Sequence, residues 1–328
     1  MPQTATKLTT LRPDLGTLEE FDLDMQRQNY IGLQILPRFN VPRQSGKFGR
    51  IPIDQLLAAG KEKLERAARS GFKRSDWEFA EDSYSTTERG AEEPIDDREA
   101  ALYADYFDAE TVAAQRAIER LYSDYERRII ALAIDANVTA GRETAAAATW
   151  DTNTGSPLSD PRGDVRTGAK AIWARTGMWP NTLVISQQTF ETLQDNHQVI
   201  ERITSNGAGA SALPDDITLK ALAQFFSIQQ VLVAKAIQLS SGDVVSSLFP
   251  DDSALLLKAA RGNDIQAPAF GRTFVYDGVV GSTEADGVTS VPETYREENI
   301  KSTIVRVGQE SDEKVLYPEL AEVITGIA

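Results

Sequence analysis

Residues Ser159–Ile203 read SDPRGDVRTGAKAIWARTGMWPNTLVISQQTFETLQDNHQVIERI. Asp164 is expected as an N-cap, because its carboxylate can accept the unpaired N–H groups of a first helical turn. Val165, Ala169, Ile172 and Thr176 then recur at helical spacing, with Trp173 beside them. Gly177 stands where a helix end favours a left-handed residue. Pro180-Asn181 marks a turn, and Thr182-Leu183-Val184-Ile185 is a short apolar, β-branched run that fits a buried strand. Ser186 is placed to cap a second helix, with Phe190, Leu193, Val199 and Ile203 facing inward. The stretch therefore predicts helix, strand and helix packed as one α/β unit.

Composition narrows the possible classes of function. The 328 residues, 41% of them apolar, allow roughly two domains and a sizeable core. No 18-residue apolar run suggests a membrane span, and MPQTATKLTTLRPDLG lacks the basic-then-apolar layout of a secretory leader. The absence of cysteine removes disulfides, thiolate metal sites and cysteine nucleophiles together. A net charge of −15 argues against a nonspecific nucleic-acid binder, which depends on Lys and Arg. The charge is unevenly spread. Arg43–Arg74 carries nine basic residues against three acidic ones, whereas Asp76–Asp97 carries nine acidic residues against Arg89 alone.

Outward from the central unit, residues 1–45 read as an arm, in which Thr17-Leu18-Glu19-Glu20 forms a capping box for a short helix toward Tyr30. Phe48, Ile51 and Ile53 suggest one strand of a charged excursion, and Phe72, Trp77 and Phe79 its return. Such a two-stranded hairpin is marginal alone in water. Asp96 or Asp97 is expected to cap a long helix from Arg98 to about Ala136, whose stripe runs from Leu102 and Tyr106 to Leu132 and Ala133. At 1.5 Å per residue it would span roughly 55–60 Å. Gly141–Ser159 reads as a loop, and Ile217–Phe226 as a helix with Ile217, Leu219, Leu222, Phe225 and Phe226 inward. Val231–Ala234, Ala254–Leu257 and Thr273–Tyr276 read as buried strands, Thr283–Pro292 as a connection, and Lys301–Val307 and Lys314–Ile324 as two closing strands.

This order of arm, charged hairpin, long helix, α/β unit and closing strands resembles the major capsid proteins of tailed bacteriophages, the fold named after phage HK97. The motifs that carry the resemblance are Pro94-Ile95-Asp96-Asp97, Asp160–Ile203, LAQFFSIQQVLVAKA at Leu222–Ala236 and PAFGRTFVY at Pro268–Tyr276. The resemblance implies an α+β, HK97-like capsid fold: N-terminal arm 1–45, extended loop 46–93, peripheral domain with spine helix 94–159, axial domain 160–295, and closing strands of the peripheral domain 296–328. It implies a non-enzymatic major capsid protein that self-assembles into hexamers and pentamers, forming an icosahedral head around double-stranded DNA. No cofactor or metal is expected. The virion is the expected location, with assembly in the host cytoplasm. Expected partners are further copies of the chain, a portal, nonspecifically contacted DNA and, as a further candidate, a decoration protein. Because residues 1–45 leave little room for a fused scaffold, a separate scaffolding protein is expected; a membrane is not. In the extended loop, Arg43, Lys47, Arg50, Lys61, Lys63, Arg66, Arg69, Lys73 and Arg74 are the expected intersubunit contacts.

Side-chain chemistry for catalysis is sparse. His197, the only histidine, lies in Asp195-Asn196-His197 and reads as a helix-break residue. Gly207–Ala212 matches a loose dinucleotide fingerprint but follows a helix instead of a strand, so it reads as a loop. Asp96-Asp97, Asp215-Asp216 and Asp251-Asp252 are explained by capping and turns. Two alternatives stand beside the capsid reading: a cellular encapsulin-like shell of the same fold, and a metal-dependent α/β enzyme using the paired aspartates.

Overall fold

A computed structural model describes residues 29–58, 65–66, 68–72, 80–103, 109–153, 157–204, 218–240, 244–276 and 292–328. The first part carries α1 (Gly32–Ile35), β1 (Arg38–Val41), β2 (Ser45–Arg50), α2 (Ile53–Ala58), β3 (Ala80–Ser85), β4 (Thr87–Asp96) and α3 (Asp97–Tyr103). The spine helix α4 (Ala109–Ala133), a single turn α5 (Ala136–Thr139) and β5 (Glu143–Ala145) follow. The decisive stretch supplies α6 (Pro161–Thr176), β6 (Thr182–Ser186), α7 (Gln187–Gln194) and α8 (His197–Thr204). Beyond it come α9 (Leu219–Phe226), β7 (Gln230–Ala234), β8 (Ile237–Ser240), β9 (Val244–Ser247), β10 (Ser253–Leu257) and β11 (Gly271–Tyr276). The chain closes with β12 (Glu293–Glu297), β13 (Ser302–Val315) and β14 (Ala321–Thr325).

Two five-stranded sheets organise these elements. In the first, β13 is the central strand. It pairs with β4 over Ser302–Ser311, and on its other edge with β12 and then β11, while β1 lies parallel to β11. The second sheet has the order β5-β14-β10-β6-β7, with β6 and β7 parallel and β10 antiparallel to both β6 and β14. Since β5 and β14 complete it, this sheet draws on residues outside 160–295.

Every residue of β6 is buried, and the period of two explains why the run reads as continuously apolar. Leu183 and Ile185, with Ala254 and Leu256 of β10, face a core shared with Val165 and Ile172 of α6, Leu193, Val199 and Phe226. Val184, Leu255 and Leu257 face the opposite core, with Ile129, Ile130 and Ala133 of α4 and Ile35 of α1. A strand covered on both faces needs apolar residues at every position. α4 in turn serves both sheets. Ala113, Ala117, Ile118 and Leu121 lie with Ala91, Ile95, Val305 and Val307 of the first sheet, while its last turns cover the second.

Several expectations require correction. Asp160, not Asp164, caps α6: its side chain accepts from the Gly163 N–H at 2.9 Å, with Pro161 at the first helical position. Asp164 lies inside the first turn and is buried. Trp173 is 56% exposed, and the tryptophan in the core is Trp150, from the stretch expected as a loop. Leu102 and Leu219, expected inward, are exposed. The long helix does not run to Ala136; α4 ends at Ala133 and spans about 37 Å. α5 then restarts under an Asp135 cap, and residues 104–108, including Tyr106, lie outside the described residues. The first hairpin strand stops at Arg50, Ile53 opens α2, and the return strand is Ala80–Ser85. Phe72 is exposed and in no strand, while Trp77 and Phe79 lie outside the described residues. The closing strands are one 14-residue strand, β13, and a short β14 in the other sheet, separated by a 3-10 turn at Pro318–Leu320. The capping box at Thr17–Glu20, the Gly207–Ala212 segment, Ile217 and all of Thr283–Pro292 but its last residue also lie outside the described residues.

Candidate assembly surface

The charged hairpin is seated on its own subunit at its base. Phe48 and Tyr84 occupy facing strands and converge on Phe274 of β11, with ring centroids at 5.3 and 4.9 Å; Phe39 completes the cluster at 5.8 Å. A Cβ on Gly46 would lie 2.7 Å from the Tyr84 hydroxyl, so a side chain there would have to displace the Tyr84 ring from Phe274. Arg50 donates to the Leu316 carbonyl at 2.5 Å, with its guanidinium over the Tyr317 ring. Lys314 donates to the Ser83 carbonyl and pairs with Asp82 at 2.6 Å. Arg50 is therefore engaged within the subunit.

The other expected contact residues divide into four groups. Lys47 meets Glu81 at 2.8 Å with both side chains more than 70% exposed, so the pair contributes little to folding. Arg43 and Arg69 are exposed and make no hydrogen bond or ion pair among the described residues, and Arg69 has a left-handed backbone at φ 69°. Arg66 covers the ring of Phe72 at 4.8 Å, and that ring is 76% exposed. Lys61, Lys63, Lys73 and Arg74 lie outside the described residues. The structure thus brings together Lys47 and Arg50 on one strand, with Arg43 just before it.

The acidic run is more self-contained than its local count implies. Glu93 faces Arg120 at 3.2 Å and Arg116 at 3.9 Å on α4. Asp97 forms a two-point contact with Arg296 at 2.5 and 2.6 Å, and the Glu92 carboxylate accepts from the Tyr295 hydroxyl. These partners lie outside the run, so counting charges within a window overstated the free surplus.

Two polar arrangements were not anticipated. Glu126 is buried on the inner stripe of α4 and accepts from the Ile31 N–H at 3.0 Å and the Gly32 N–H at 2.7 Å. Burial pushes its carboxyl up from 4.5 to about 7, against the pull of the two amide donors. Seven residues earlier, Glu119 accepts from the Tyr30 hydroxyl at 2.5 Å. The chain entering the fold is clipped to the spine helix at both carboxylates. A charged residue at helical spacing from Tyr122, Ile129 and Ile130 was the available signal. In the second arrangement, the Trp150 indole donates to Asp164 at 3.0 Å, and the Asn196 amide donates to the Trp150 carbonyl and the Ser159 hydroxyl. Burial raises the Asp164 carboxyl, and the indole hydrogen bond opposes that.

Among the described residues, no three His, Asp or Glu side chains are grouped to hold a metal ion. His197 is exposed and opens α8, 3.8 Å from Glu201. The Asp96 carboxylate accepts from the Arg98 N–H. The Asp251 and Asp252 carbonyls accept from Thr189 and Gly326, so this pair organises a turn. Asp215-Asp216 lies outside the described residues.

No protein-family model matches the chain. The major capsid protein of Burkholderia phage BcepMu is 27% identical over 288 residues, covering 86% of this chain and 90% of that protein. A phage-related protein of Bordetella bronchiseptica RB50 superposes with a TM-score of 0.64 at 19% identity, over 97% of both chains. The capsid of Cyanophage P-SCSP1u gives 0.58 at 12% identity, over 89% of this chain and 86% of that one. This is the HK97-like capsid fold. The same fold includes the SrpI encapsulin of Synechococcus elongatus PCC 7942, with a TM-score of 0.52 at 13% identity, over 100% of this chain and 92% of that one. The α+β HK97-like expectation is met.

Proposed function

We propose that the chain is the major capsid protein of a tailed bacteriophage, assembling into hexamers and pentamers that form an icosahedral head around double-stranded DNA. The observation that carries this reading is similarity to a phage major capsid protein over nearly the full length of both chains, on a fold found in phage capsids. Both point to a structural role. The extended loop, with Arg43, Lys47, Arg66, Arg69 and the remaining basic residues of the run, lies over a neighbouring subunit, while Arg50 anchors the base of the loop. The division into arm, loop, peripheral and axial domains belongs to the same proposal. So do a separate scaffolding protein, a portal, a decoration protein and nonspecific DNA contact as partners, and assembly in the host cytoplasm before residence in the virion.

The likeness to the SrpI encapsulin favours a second reading, an encapsulin-like cellular shell. Purified particles separate the two. Negative-stain microscopy should show shells or capsomers, and particles from the native source should hold nuclease-protected DNA. Protein cargo without DNA selects the encapsulin-like reading. A chain that stays monomeric at high concentration, even with scaffold co-expressed, removes both.

A further inference from the structure

The exposed side of α6 carries an unusual set of residues for this chain. Arg162, Arg166 and Lys170 follow at four-residue spacing, and Trp173 continues the line one turn later. Residues so spaced share one helical face. This face flanks the buried stripe of Val165, Ala169 and Ile172. The guanidinium groups of Arg162 and Arg166 and the Lys170 ammonium have no hydrogen-bond or ion-pair partner among the described residues. The nearby carboxylates are occupied: Asp160 by the Gly163 amide and Gln198, Asp164 by Trp150. Three unpaired cations on one face stand out in a chain with 49 acidic and 34 basic residues.

A cavity of about 300 Å³ opens beside these cations. Arg162, Arg166 and Trp179 wall it, with Ala169, Phe226 and Ser227 as the rest of its lining. Trp179 is 45% exposed and Trp173 is 56% exposed. An apolar floor below two guanidinium groups fits a side chain with an aliphatic stem and a carboxylate tip. Arginine can hold a carboxylate through two parallel donors, and Trp and Arg are the residue types that dominate binding energy at interfaces.

The geometry points to a docking surface on α6, formed by Arg162, Arg166 and Trp179, for a carboxylate-bearing segment of a second copy of this chain. The inference rests on the capsid reading, in which identical copies stand in rings. Ring contacts are heterologous, so a basic face meets a different, acidic face of the next copy. Among the described residues, Glu88, Glu99 and Asp195 are exposed and can supply the carboxylate. Packaged DNA is the less suitable occupant. Three cations give a short electrostatic track, and Ala169 and Phe226 in the lining offer contact to an aliphatic stem that a phosphate lacks.

The test uses the full chain carrying Arg162→Glu plus Arg166→Glu and, separately, Trp179→Ala. Circular dichroism melting checks folding; sedimentation velocity and negative-stain microscopy read assembly. Both variants should melt close to the parent, and the concentration needed for assembly should rise by roughly tenfold or more, as for loss of a central contact. Hydroxyl-radical footprinting of parent particles should show Trp173 and Trp179 protected relative to the unassembled chain. Normal shells from both variants, or equal oxidation of the two rings in both states, overturns the docking surface. Normal shells that retain less DNA overturn it in favour of nucleic acid. A parent that forms no particles at all overturns the capsid reading itself, a result distinguishable from failure of this surface alone.

Discussion

At the scale of single residues, Glu126 links the entering chain to the spine helix through two backbone hydrogen bonds. Its carboxyl is held at about 7 by burial, against 4.5 when solvated. The folded state therefore binds this proton more tightly than the unfolded chain. The contribution to stability is full below about pH 4.5 and is lost as pH rises through 7. At 1.36 kcal/mol per unit the difference is about 3 kcal/mol. Glu126→Gln should flatten that slope between pH 5 and 8 in denaturant titrations. An unchanged slope in the variant would assign the pH dependence to other groups.

The two central tryptophans make the complementary point. Trp150→Ala should cost about 3–5 kcal/mol, because it removes a fully buried ring and strands Asp164. Trp173→Ala should stay within about 0.5 kcal/mol. Equal melting of the two variants would contradict this assignment. Helical spacing could not separate the rings. Trp173 falls beside the buried stripe, where a small rotation decides exposure, and Trp150 lies in a segment with no periodicity.

At the scale of elements, legibility followed the range of the forces involved. The Gly177 stop, the Ser186 cap and the buried β6 depend on neighbours in sequence, and all appear as expected. β13 was harder to read, since Gly308–Glu313 is polar or small and looks like a break. It continues as a strand because β4 pairs with it over ten residues and the Ser311 and Glu313 side chains are satisfied, the latter by Arg128. Gly271 in the Pro268–Tyr276 motif shows a similar long-range cause. A Cβ there would stand 2.4 Å from the Lys314 carbonyl oxygen and 2.5 Å from Leu36. Gly271→Ala must push β11 away from β13, and should destabilise the fold by at least about 2 kcal/mol. Chemical denaturation gives the number. A wild-type midpoint would mean that the two strands can separate at that point without cost.

At the scale of the whole molecule, the question is what the exposed basic residues Arg66 and Arg69 do. The sequence made the basic and acidic runs visible, but not which charges find partners within the subunit. Arg116, Arg120, Arg296 and Lys314 are distant in sequence and neutralise much of the acidic run. Arg66 and Arg69 remain at the surface beyond the anchored base of the hairpin. On a free monomer they would matter little, because exposed pairs contribute about 0–1 kcal/mol. In a shell each contact repeats around every capsomer, and partly desolvated charges are less screened by salt. Facing like charges can cost several kcal/mol and so select partner and register. Arg66→Glu plus Arg69→Glu should therefore leave the subunit folded, since neither side chain supports the core, and should block or misdirect assembly. Circular dichroism reports the first outcome and sedimentation the second. Normal shells would remove the electrostatic role of the loop. An unfolded variant would place these residues in the support of the subunit itself, with Arg66 acting through the exposed Phe72 ring that it covers.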